Sequence, residues 1–146
     1  MANFKIQQIA DRVFSILDEG QASFYVIEGT ERAAVVDTGI TCGERIMPVI
    51  RQITQMPLIL AVTHAHLDHM FHANEFETIY LSRRELTVEP DVLEQMTGGK
   101  QSFLETAIDI GTDSVIDLGD DSLEVCGVPG HTPVRRSSCC GSSARI

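Results

Sequence analysis

The sequence predicts a mixed α/β (α+β) domain built mainly on sheet, and three observations carry the prediction. The first 40 residues read as short β-rich runs separated by turn residues. An amphipathic helix pattern at 44–55 then leads into a continuous apolar strand, and two more short strands return within 114–130. At 146 residues the chain fits one domain, large enough to bury a substantial core.

Residues 4–16 carry Phe4, Ile6, Ile9, Val13, Phe14 and Ile16 as apolar anchors of an edge strand or hairpin. A turn at Asp18-Glu19-Gly20 precedes the strand SFYVIEG, which a Gly-Thr-Glu-Arg connection joins to the strand AAVVDTG, a hairpin pattern. Gly39 and Gly43 then permit sharp turns. From Glu44 to Gln55, Ile46, Val49, Ile50 and Ile53 recur at the spacing of a helix lying on a sheet, and Pro57 ends it. LILAVT is an apolar run expected to be covered on both faces. HMFHANEF reads as a short helix and ETIYLS as the next strand. Thr87–Met96 reads as helical, with Pro90 near its start and Gly98-Gly99 beyond its end. Residues 101–112 are ambiguous, and SVIDLGDDSLEVCGVPG supplies two strands around a turn at Gly119-Asp120-Asp121.

Charge narrows the function classes. The formal net charge is −10, and residues 1–131 hold all 21 acids against eight Lys and Arg. A field of that sign disfavours nucleic acid and anionic membrane as partners and suits divalent cations. No apolar run approaches the roughly 18 residues needed to cross a bilayer, and the start lacks a continuous apolar signal region. Cys42, Cys126, Cys139 and Cys140 form no regular disulfide framework. A soluble, cytoplasmic protein in a reduced compartment is expected.

Four of the five histidines fall in THAHLDHMFH. The pattern H-x-H-x-D-H sets His64, His66, Asp68 and His69 just beyond a buried strand. Two residues apart at a strand end, His64 and His66 can approach one cation as neutral imidazoles at roughly 2.0–2.1 Å. Asp68 and His69 diverge as the chain turns into a helix, which suits a second cation about 3.5–4 Å from the first. Asp68 also fits a helix N-cap. His72, three residues past His69, fits surface or supporting use better than ligation. In VPGHTP, His131 lies on a loop of restricted shape and supplies a third imidazole beside His64 and His66.

DTG at 37–39, THAHLDH at 63–69 and GHTP at 130–133, in this order, resemble the metallo-β-lactamase fold superfamily of metal-dependent hydrolases. The resemblance covers residues 8–133. It implies an αββα metallo-β-lactamase-like sandwich, present mainly as its N-terminal half, with the metal site at one edge between the sheets. It implies that His64, His66 and His131 hold a first metal, that Asp68 and His69 hold a second, and that Asp37 is an acid standing close behind the ligands. As a residue of its own segment, Asp37 also fits a simple turn before Thr38-Gly39.

Members of that family continue after this point with strands, a bridging metal-binding Asp and a last His. Here Val134 stands in place of the usual Gly, and no Asp or His follows residue 131. Residues 134–146 hold four Ser, two Cys and three Arg, with no apolar alternation. The expectation is a partial domain at 1–133 and an atypical tail at 134–146, non-native or disordered, left by truncation or a frameshift after GHTP. An apolar sheet face would then lack its partner, and oligomerisation through the exposed core edge is one expected result.

The activity expected of the family is hydrolysis of a small-molecule ester, thioester, lactone or lactam by zinc-activated hydroxide, with one or two zinc ions and iron or manganese as alternatives. Asp68 is the expected catalytic residue, orienting the nucleophile. With half of the second ligand set missing, the chain as written is expected to be weak or inactive. Two other classes stand beside this one: a diiron redox protein of the same fold, and an inactive metal-binding or interaction protein.

Overall fold

The computed structural model describes residues 3–85, 106–128, 135–140 and 144–145. Its first sheet has seven strands in chain order: β1 (Lys5–Ala10), β2 (Val13–Leu17), β3 (Ser23–Glu28), β4 (Ala33–Val36), β5 (Leu58–Ala61), β6 (Ile79–Leu81) and β7 (Ile108–Asp109). β1 to β4 form an antiparallel meander, and β4 to β7 run parallel. β8 (Val115–Asp117), β9 (Ser122–Val128), β10 (Arg135–Cys140) and β11 (Ala144–Arg145) form a second, antiparallel sheet.

Alternation along the central strands builds two cores. Phe24, Val26, Val35 and Leu60 face one side of the first sheet, where they meet Ile46, Val49, Ile50, Met70, Ala73 and Phe76. Ile27, Ala34, Val36, Ile59 and Ala61 face the other side and meet Ile116, Leu118 and Leu123 of the second sheet's segment. The apolar run LILA is therefore covered on both faces, as its composition predicts.

The helices differ from the sequence reading. Where helix was expected over 44–55, α1 spans Met47–Ile50, followed by a turn through residue 53. Pro48 supplies the reason: it has no N–H and fits only a first turn, so the helix starts around it. The amides of Ile46 and Met47 instead donate to Glu75. HMFHANEF is split into α2 (Leu67–Met70), which starts earlier than expected, and a 3₁₀ turn at Ala73–Glu75. The helix expected at 87–96 lies outside the described residues.

At 135–140 the backbone pairs antiparallel with β9, from Arg135 against Val128 to Cys140 against Leu123. Backbone pairing does not require the apolar alternation that this segment lacks. Among the described residues no helix is long and apolar enough to cross a membrane.

Candidate metal centre

β4 and β5 are parallel neighbours, so the segments that leave their C-terminal ends emerge side by side, where open α/β sheets place ligand sites. Asp37 follows β4, and its N–H still bonds the Ala61 carbonyl (3.0 Å). The chain then leaves the ladder with Asp37 at φ +63° and Gly39 at φ +69°. A side chain rarely adopts the first of these values, and Asp is among the residues that tolerate it.

Held in that turn, the Asp37 carboxylate bridges to the histidine segment. Oδ1 accepts the Thr63 N–H (2.8 Å), and Oδ2 accepts the Thr63 hydroxyl (2.7 Å) and lies 2.7 Å from His69 Nδ1. A carboxylate bound to one ring nitrogen fixes the orientation of the imidazole and directs the other nitrogen outward. His69 Nε2 lies 3.2 Å from Asp68 Oδ2. Two donors bound to one tetrahedral zinc ion at about 2.05 Å would be about 3.3 Å apart. The Asp68–His69 separation is that of an ion pair, and it is also close to the separation of two ligands on one tetrahedral zinc ion. His69 lies between the carboxylates of Asp37 and Asp68.

The other two rings of the cluster lie against it. The His64 ring centroid is 3.8 Å from that of His69 and 4.6 Å from that of His66. His64 is 6% exposed. Its pKa is pushed down to about 4, first by burial and then by the charges of His69 and His66, against the opposing pull of Asp37 and Asp68. It is neutral at pH 7, the form in which histidine ligates metals. His66, not Asp68, occupies the N-cap position of α2, with extended backbone and no capping side-chain bond. Asp68 sits in the first turn with its side chain 49% exposed.

His64, His66, Asp68 and His69 are thus brought together, with Asp37 behind them, while His131 lies outside the described residues. Among the described residues no three His, Cys, Asp or Glu side chains already converge as a ready metal cage. The chemistry of the donor set, imidazoles beside a carboxylate, nevertheless fits zinc.

Three supporting residues escaped the sequence reading. Thr63 carries the Asp37 bridge and lies inside a motif whose His and Asp residues alone were assigned roles. Asp18 reaches 22 and 23 positions along the chain to accept the amides of Ile40 (2.6 Å) and Thr41 (3.0 Å). Glu75 takes the two amides at the start of α1. For Glu75 the one available signal is its three-residue spacing from His72.

The family model of the metallo-β-lactamase superfamily matches residues 17–142. The chain belongs to that superfamily. No curated protein matches it. Among solved structures of the fold, it is similar to a B3 metallo-β-lactamase with an active-site glutamic acid, at 14% identity and a TM-score of 0.71, over 97% of this chain and 59% of that one. It is also similar to a metallo-β-lactamase from Pontibacter korlensis, at 16% identity and a TM-score of 0.66, over 94% and 66% of the two chains. The flavodiiron protein from Giardia intestinalis shares the fold at 15% identity and a TM-score of 0.64, over 93% of this chain and 37% of that protein. The chain therefore spans about three fifths of the first of these structures and two thirds of the second. Membership carries a metal-dependent, hydrolase-type fold with it, in which the metallo-β-lactamase-like chain places Asp37 and the histidine segment at neighbouring strand ends.

Proposed function

We propose that this superfamily member is a cytoplasmic, zinc-dependent hydrolase of a small ester, thioester, lactone or lactam, with His64, His66, Asp68 and His69 as metal ligands and His131 completing the set. The observation that carries the reading is His69 held between Asp37 and Asp68, with the His64 and His66 rings packed beside it. When bound, zinc supplies Lewis acidity toward a carbonyl oxygen and makes water a stronger acid. Asp37 orients His69 and, through Thr63, the start of the histidine segment. Asp68, whose side chain is about half exposed, would orient an attacking water, accept its proton and pass that proton to solvent. The acidic surface favours an uncharged or weakly charged small molecule over nucleic acid.

The test is equilibrium dialysis of the full chain against zinc, followed by elemental analysis, with His64→Ala and His66→Ala alongside. About one zinc per chain is expected, and each substitution removes most of the binding because each removes a direct ligand. Less than about 0.2 zinc per folded chain refutes the reading. Iron in place of zinc after purification without added metal favours the diiron redox alternative. Zinc binding without turnover of any ester, thioester, lactone or lactam leaves an inactive metal-binding protein.

A further inference from the structure

His72 lies three residues beyond His69 and outside the ligand set, yet it is 6% exposed and its ring is engaged on both sides. Nδ1 is 3.0 Å from Glu75 Oε1, and Nε2 is 2.9 Å from the Thr41 carbonyl oxygen. The backbone N–H of His72 donates to the Thr38 hydroxyl (3.2 Å). Glu75, 7% exposed at its side chain, also accepts the amides of Ile46 (3.1 Å) and Met47 (3.0 Å), and Arg45 Nε stands 3.5 Å from its Oε2.

A carbonyl oxygen has no proton to offer, so Nε2 donates to the Thr41 carbonyl, while Nδ1 faces the Glu75 carboxylate. Both ring nitrogens are engaged within the fold rather than turned toward a metal. Glu75 fits the complementary role: burial alone would raise its pKa, but the bonds from His72, Met47 and Ile46 outweigh it and hold the carboxyl below its ordinary value.

The placement of these bonds gives them a function. Thr38 and Thr41 belong to the turn that begins at Asp37, while His72 follows α2, which carries Asp68 and His69. Asp18 holds the same turn from its other side, through the amides of Ile40 and Thr41. The backbone on both sides of Thr41 is thus gripped, its N–H by Asp18 and its carbonyl by His72. We infer that the buried His72–Glu75 pair is a positioning clamp for the metal site, fixing the Asp37 turn against the helix that carries Asp68 and His69. The inference rests on the metal-binding reading above. Without the clamp the Asp37 turn keeps its bonds to Ala61, Thr63 and Asp18 but loses its tie to the segment after α2, so the Asp37 carboxylate and the His69 ring are held less firmly against each other.

The test compares zinc dissociation constants, cobalt(II) visible spectra and unfolding midpoints of the full-length wild type, His72→Phe, the milder Glu75→Gln and Leu123→Ala. The last variant loses stability in the core between the sheets, away from the clamp. The two clamp variants are expected to weaken zinc about 10- to 100-fold and to alter the cobalt spectrum, as losses behind metal ligands do. Leu123→Ala is expected to leave both unchanged despite its lower midpoint. Wild-type affinity and spectrum in a folded clamp variant overturn the inference and leave the metal site intact; a wild type that binds no zinc overturns both. A measurement on the wild type covers the case of variants that do not fold. Coupling between sites is reciprocal, so zinc saturation should slow hydrogen exchange of the Ile46 and Met47 amides held by Glu75 by more than it slows that of the Leu118 amide, bonded to Asp121 in the β8–β9 hairpin. Unchanged exchange at Ile46 and Met47 in the zinc-bound protein counts against the clamp.

Discussion

Asp18 is 2% exposed and accepts three backbone amides, from Ala22, Ile40 and Thr41. Burial by itself would raise its pKa; the bonds from Ile40, Ala22 and Thr41 outweigh that effect and hold the carboxyl below the ordinary aspartate value. A carboxyl depressed in the folded state adds stability at pH values above its unfolded pKa of about 3.9, and that contribution is lost as pH falls through the lower folded value. Asp18→Ala strands several buried amides and is expected to cost about 2–4 kcal/mol at pH 7. Urea unfolding at pH 7, 5 and 3 should show the gap between variant and wild type narrowing below about pH 4; a gap independent of pH counts against the assignment. From the sequence, Asp18 is a turn residue, and it is one: its carbonyl accepts the Gln21 N–H and its Oδ1 the Ala22 N–H. Its second oxygen acts on residues 22 and 23 positions away, and local patterns carry no information at that range.

The same division between local and distant causes decides which elements were legible. Strands β2 to β6 follow from apolar runs bounded by turn residues, because one face or both meet a core. The apolar spacing over 44–55 predicts a longer helix than α1, whose start is set by Pro48 within the first turn. His64, His66, Asp68 and His69 were legible because they are nearly contiguous, whereas Asp37 was set near them only by family resemblance, and its contact with His69, 32 residues away, is visible only in the structure. At the turn between β8 and β9, Gly119 has φ +109°, and a Cβ there would collide with Thr30 Oγ1. This turn docks on the β3–β4 connection: the Leu118 carbonyl accepts the amides of Thr30 and Glu31, and Asp120 N–H donates to Thr30 Oγ1 (2.8 Å). Gly119→Ala combines backbone strain with that collision and should destabilise the fold by about 2–4 kcal/mol. Chemical denaturation of the purified variant measures the loss, and a change under about 0.5 kcal/mol, the range of ordinary surface substitutions, would show that the turn is not held this way.

Across the whole molecule, the first sheet is the shared wall of two cores. The second core depends on a few side chains from the second sheet's segment: Ile116, Leu118 and Leu123 against the small and branched residues of β4 and β5. Leu123 is fully buried, so Leu123→Ala should cost about 2–5 kcal/mol through lost burial and the cavity left behind. A loss under about 1 kcal/mol in the unfolding midpoint analysis would mean that the two sheets are coupled more weakly than their packing implies.

The change of strand direction at β4 also sets an order of events in folding. Residues 5–36 form a meander of neighbouring hairpins whose contacts close short loops, whereas the parallel pairing of β4 with β5 must first enclose the segment from 37 to 57. Non-local pairing is slower because more chain entropy is lost before contacts form. The histidine segment leaves β5, so the proposed ligands are expected to converge after the meander has formed, on the late side of the folding barrier. A ligand whose contacts are absent from the transition state slows unfolding and leaves refolding nearly unchanged. Stopped-flow chevrons with and without saturating zinc should therefore differ in the unfolding limb alone. A matching acceleration of the refolding limb would place the ligand cluster in the folding nucleus instead.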